Sequence, residues 1–162
     1  MDALELRHRA KGSGSVCRAI LATLPTWFGI AESVDDYVTV ADRSPTVIAS
    51  HHGRDVGLVT IVTHSPYAAE VYVMGVAPEY HRQGIGRTML EHVEDSLAGA
   101  GVAFLQVKTQ SARRADEGYD RTRAFYLSYG FRPLEEWPRL WGPENPALQM
   151  IKDVRARPRP GP

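Results

Sequence analysis

Gly84 and Gly86 lie between Arg82 and Arg87, where a β-rich run gives way to an apolar-periodic helix. Such a turn presents several backbone N–H groups at a helix N-terminus, and the helix dipole there favours negative charge. The chemistry that fits is anion binding: a phosphate, and above all a pyrophosphate. A Gly-x-Gly turn that opens a helix is also commonly a plain tight connection. Two phosphate motifs are excluded. No Gly-Lys-Ser/Thr follows the turn, as a Walker-type NTP site needs, and Met89 stands where a dinucleotide fold has its third glycine.

The flanking residues narrow the reading. The window His81-Arg82-Gln83-Gly84-Ile85-Gly86, within the run from Glu70 to Leu90, resembles the acetyl-CoA motif Gln/Arg-x-x-Gly-x-Gly/Ala of the GNAT acetyltransferases. His81 departs from it by standing at the Gln/Arg position. A second block, Arg123-Ala124-Phe125-Tyr126-Leu127-Ser128-Tyr129-Gly130-Phe131, resembles the family's later helix and strand, with a Tyr four residues before a Gly-Phe pair. More faintly, the resemblance runs from about Leu4 to Lys152.

The resemblance implies an acetyl-CoA-dependent N-acetyltransferase that works by direct transfer in a ternary complex. Amides of Gln83, Gly84, Ile85, Gly86, Arg87 and Thr88, with Arg82 beside them, would hold the CoA pyrophosphate. A bulge in the preceding strand would open a gap for pantetheine along Met74, Gly75 and Val76, with the Val76 N–H on the thioester oxygen. Glu70 stands where histone-acetyltransferase-like members carry a catalytic Glu, and other members use water chains instead. Even spacing puts Glu70 and Val76 on one strand face if no bulge intervenes. A lysine amine of pKa about 10.4, or an α-amine of about 8, is mostly protonated at neutral pH, so a base helps. Against this, Glu70 also reads as a solvated strand-end carboxylate. Tyr126 would protonate the departing CoA thiolate, and its plain alternative is a core aromatic beside Phe125 and Tyr129.

The elements that must position these groups follow from periodicity. Leu4, Leu6 and His8 alternate with charged residues as a first strand. After Gly12-Ser13-Gly14, Ser15 is placed to cap a helix through Leu24. Trp27-Phe28 starts a second helix, on which Ile30, Val34, Tyr37 and Val38 share a face. Strands are expected at 46–51, 56–64 and 69–76, with a turn at His52-Gly53-Arg54-Asp55. The helix after the glycines runs to about Ala98 on Ile85, Met89, Val93 and Leu97. Val102 to Lys108 is an apolar run read as a strand buried on both faces. A helix from Tyr119 to Tyr129 closes at Gly130, and strands near 131–134 and 147–151 flank a tryptophan-bearing loop. The order is mixed α and β. The resemblance supplies the GNAT fold: a mixed, mostly antiparallel sheet of about six to seven strands flanked by about four helices.

At 162 residues, with 43% hydrophobic and 23% charged residues, one domain over 1–154 is expected. Lys plus Arg equals Asp plus Glu at 19 each, so nothing advertises nucleic-acid binding. The single Cys17 on an apolar helix face reads as buried and inert, and one cysteine fits a reducing compartment. No long apolar segment suggests a signal peptide or membrane span, so a cytoplasmic protein is expected. The basic, proline-rich residues 155–162 read as a disordered end. Six histidines show no His-x-x-x-His spacing, and no metal is expected.

In the GNAT fold the regions of Trp27, Phe28 and Trp141 border the acceptor pocket, and aromatic walls suit a small organic amine. Glu32, Asp35 and Asp36 read as a solvated face, or as a lure for a cationic acceptor. A small-molecule amine is the preferred acceptor, against a protein lysine or α-amine. A non-catalytic acyl-CoA-sensing module is the competitor from another class. Many relatives dimerise, so a homodimer is allowed, although no residue pattern marks its face.

Overall fold

The computed structural model describes residues 4–25 and 27–154. The proline-rich tail therefore lies outside the described residues. The elements are β1 (Glu5–Arg9), α1 (Gly14–Leu21), α2 (Ala31–Arg43), β2 (Thr46–His51), β3 (Arg54–Ser65), β4 (Ala68–Val76), α3 (Ile85–Gly99), β5 (Phe104–Gln110), α4 (Glu117–Tyr129), β6 (Arg132–Trp137) and β7 (Ala147–Asp153). A 3-10 turn, Pro78–Tyr80, follows β4. The seven strands form one sheet in the order β1-β2-β3-β4-β5-β7-β6. The registered pairs β1/β2, β2/β3, β5/β7 and β6/β7 are antiparallel. The mixed α/β class and the mostly antiparallel sheet agree with the expectation.

The chain packs as two compact units. One runs up to Val62 and resumes from Val71 to Val93; the other comprises Thr63–Glu70 and the chain from Glu94 on. In the first unit α1 and α2 lie over a core of Cys17, Ile20, Leu21, Leu24, Ala41, Leu58 and Val73. Val34, Tyr37 and Val38 of α2 pack onto it, as their spacing predicts. Ile30 does not: it is the residue before α2 and is exposed. Trp27 and Phe28 also precede α2 instead of starting it.

The start of α1 differs from the Ser15 cap. The helix begins at Gly14 after Ser13, whose side chain caps nothing. The carboxylate of Asp42, at the end of α2, accepts the Gly14 N–H at 3.2 Å, and the Asp42 carbonyl accepts that of Gly12 at 2.8 Å. A residue of the neighbouring helix thus satisfies a donor that a local cap would normally take. A side chain on Gly14 would meet Asp42 and the Val38 carbonyl at 3.0–3.1 Å, so only glycine lets the two helices approach this closely.

The β2–β3 turn is tighter than expected. His52 and Gly53, both at positive φ (50° and 73°), make the two-residue connection, and Arg54 and Asp55 already belong to β3. In the second unit β5 buries Leu105, Val107 and Thr109 on one face, while on the other Phe104 is exposed, Gln106 and Lys108 are half-buried and Gln110 is buried. The apolar run Val102–Leu105 misleads because Val102 and Ala103 precede the strand. Helix α4 is capped at both ends: Asp116 accepts the Tyr119 N–H, and Gly130 takes the left-handed conformation at φ 119°.

Candidate active site

The glycine turn is built as the sequence predicts. Gly84 has φ 78° and Arg82 φ 61°, and the first helical hydrogen bond of α3 runs from Thr88 N to Gly84 O at 3.0 Å. The amides of Ile85 and Gly86 therefore precede any carbonyl of their own helix. The Thr88 hydroxyl donates to the same Gly84 carbonyl at 3.0 Å. A Cβ at Gly84 would meet nothing within 4 Å, so its glycine serves the backbone angle and leaves an open face. Behind the turn, Gln83 donates its amide to the Glu79 carbonyl at 3.1 Å, and Arg54 pairs with the Glu79 carboxylate at 3.1 Å.

Of the strand residues ahead of it, Gly75 has a packing reason. A side chain there would press on Leu24 at 3.0 Å and Ile20 at 3.4 Å, so α1 rests on the backbone of β4. Met74 and Val76 are half-buried. Tyr72 and Val73 are consecutive, yet both pack on the α1–α2 core, so counting faces by even spacing from Glu70 to Val76 does not carry across them.

Glu70 is no solvated strand-end carboxylate. It is 5% exposed. One oxygen accepts from the Lys108 ammonium at 3.0 Å, and the other meets the His64 imidazole Nε2 at 2.5 Å. Burial of a carboxylate requires such partners. The His64 side chain is 43% exposed, which makes the imidazole the solvent-facing end of the cluster. Sequence reading missed both partners. His64 was within reach, because a hairpin at Ser65-Pro66 brings it back towards Glu70. Lys108 lies 38 residues away, and no local pattern points to it.

Tyr126 is buried on α4, edge-on to Phe131 at 5.4 Å and tilted against Phe125 at 5.4 Å. Its carbonyl receives the N–H groups of Gly130 and Phe131, which fixes the end of the helix. This packing is the core-aromatic alternative of the sequence reading.

The tentative acceptor residues fall in different places. Trp27 and Phe28 pack on the α1–α2 core. Phe28 meets Tyr37 edge-on at 5.6 Å, and Tyr37 meets Tyr72 at 5.8 Å, an aromatic run that spacing alone did not predict. Trp141 follows β6 and is 40% exposed. Glu32, Asp35 and Asp36 are exposed, and Asp35 pairs with Arg18. A cleft of about 600 Å³ between α1 and α2, lined by Ser15, Arg18, Asp42 and Arg43 among others, contains none of these residues. Its volume does not make it the site, because its lining carboxylate Asp42 already holds the Gly14 amide. Among the described residues no three His, Cys, Asp or Glu side chains gather as metal ligands. Cys17 is fully buried, and burial pushes its thiol up to about 11.

Residues 42–133 match the family model for the acetyltransferase (GNAT) domain, more than half of the chain. The chain belongs to the GNAT family. The matched segment includes Glu70, Met74–Val76, the glycine turn and Tyr126. Over 63 residues the chain is 38% identical to the ribosomal protein bS18-alanine N-acetyltransferase of Escherichia coli (strain K12), covering 39% of this chain and 38% of that protein. The chain thus spans about two fifths of the length of that curated relative. Its fold matches a GNAT-family protein from Desulfovibrio desulfuricans with a TM-score of 0.80 at 18% identity, covering 94% and 99% of the two chains. It also matches an aminoglycoside 6′-N-acetyltransferase complexed with coenzyme A, at TM-score 0.72 and 17% identity, over 97% and 99%.

Proposed function

We propose that this GNAT protein binds acetyl-CoA at the Arg82–Thr88 turn and transfers its acetyl group directly to a primary amine. The observation that carries the reading is the family match over 42–133, which takes in the turn, β4 and Tyr126 together. The neutral amine attacks the thioester carbon, and the C–S bond breaks as the C–N bond forms. Backbone groups of Met74–Val76 pair with pantetheine, and the Val76 N–H holds the developing oxyanion. Tyr126 donates its phenolic proton to the CoA thiolate.

Glu70 takes the amine proton through water. Six residues of strand span about 20 Å from Val76, and four span about 13 Å from Met74. Direct transfer needs about 3 Å, or one water. A relay through Glu70 has an outlet, since His64 contacts its buried carboxylate and faces solvent.

The acceptor we favour is a small organic amine. The Phe28–Tyr37–Tyr72 run supplies the kind of aromatic surface such a ligand uses. A second reading, a protein α-amine, is favoured by the relative that acetylates an alanine of a ribosomal protein. Release of CoA thiol, measured with aminoglycosides, simple aryl-alkyl amines and alanine-initiated peptides, separates the two. Turnover of peptides alone would overturn the small-molecule reading. Turnover of none, with acetyl-CoA bound, would leave a sensing module.

A further inference from the structure

Val76 ends β4, and its carbonyl oxygen receives a hydrogen bond from the His81 imidazole Nε2 at 2.6 Å. A carbonyl only accepts, so Nε2 carries the proton. The backbone between them is stitched as well. Ala77 N donates to Val56 O, Tyr80 N to Ala77 O, and His81 N to Pro78 O, all within 2.8–3.1 Å. The imidazole closes this link into a ring and stands edge-on to Trp27, with centroids 6.1 Å apart. His81 is exposed, so the bond adds little to global stability. Its position is what matters: it joins the residue that opens the motif, immediately before the phosphate turn, to the last residue of the strand ahead of it.

We propose that His81 is a positioning residue that locks the phosphate turn to the end of β4, so that one ligand can engage both at once. The proposal rests on the acetyl-CoA reading of the turn. Holding two half-sites in register lowers the ordering cost for a ligand that spans them and does nothing for a ligand that touches only one. The Val76 carbonyl is engaged by the chain itself. The departure from the Gln/Arg motif then has a physical meaning, because glutamine also carries an N–H donor able to reach a carbonyl.

The test is calorimetric titration of the full chain and its His81→Leu and His81→Gln variants with two probes: CoA, and 3′-phospho-ADP, the nucleotide half without pantetheine. In His81→Leu, CoA affinity should fall roughly three- to tenfold, the fold-change of one net hydrogen bond, while 3′-phospho-ADP affinity stays within about twofold. His81→Gln should restore CoA affinity to within about twofold of wild type. Unchanged CoA binding by His81→Leu would overturn the proposal. So would equal losses for both probes, which would mean a damaged turn, or a loss that glutamine does not restore, which would assign the effect to packing against Trp27. A wild-type protein that binds neither probe would instead overturn the cofactor reading itself, and this proposal with it.

Discussion

Replacing Tyr126 by Phe removes one hydroxyl from a ring held by Phe125 and Phe131, so packing survives and the proton donor is lost. Turnover should fall roughly 10²-fold or more with acetyl-CoA affinity unchanged. Steady-state kinetics with any accepted amine, set beside a binding titration, checks this, and an unchanged rate would make Tyr126 a packing residue. Glu70→Gln keeps the shape of the His64–Glu70–Lys108 cluster but removes the carboxylate charge. It should lower turnover roughly 10²- to 10⁴-fold, most steeply at neutral pH where the amine needs deprotonation. A flat ratio of rates across pH would point to solvent as the base. Gly84→Glu puts bulk and negative charge at a backbone of φ 78°, and CoA binding should vanish in a folded protein. At this scale the sequence was legible wherever conformation rests on backbone and local spacing, as at Gly84 and Gly130. It was illegible where a side chain depends on distant partners: nothing near Glu70 announces Lys108.

Elements were legible where periodicity decides them. β2 falls on its expected residues, and α3 keeps Ile85, Met89 and Val93 inside, as their four-residue spacing predicts. At the start of α1 a tertiary contact replaces the local signal. Asp42 of α2 caps α1, so Ser15 is not needed as a cap. Hydrophobicity also misled at β5, where Phe104 is apolar yet exposed. The close seating of α1 on β4 makes a prediction at this scale. Gly75→Val would drive a branched side chain into Leu24 and Ile20, and should destabilise the protein by about 1–3 kcal/mol in denaturant melts. In the second unit Glu94 is 1% exposed, bonded by the Tyr129 hydroxyl and by the Lys152 ammonium at 2.6 Å. Lys152→Met removes the ammonium that neutralises that buried carboxylate and should cost about 3–5 kcal/mol by the same measurement.

For the whole molecule, the charges balance at 19 basic and 19 acidic residues and the single thiol is buried. Partial burial, and secondly the neighbouring His92, hold the His8 imidazole below its ordinary 6.5. The unfolded chain therefore binds that proton more readily than the folded one. Stability should be unaffected by His8 above pH 6.5 and should decline as pH falls from there through the depressed folded value. Thermal melts of wild type and His8→Gln between neutral and mildly acid pH should converge at the upper end. Cys17, its thiol pushed up to about 11, should resist thiol reagents until the protein opens. The account as a whole stands on one cofactor. Titration of the purified, folded chain with acetyl-CoA in a calorimeter tests it most directly. We expect saturable one-to-one binding at micromolar concentration or tighter. No binding heat across temperatures, from a protein shown to be folded, would mean that the glycine turn is only a turn and would contradict the acetyltransferase account.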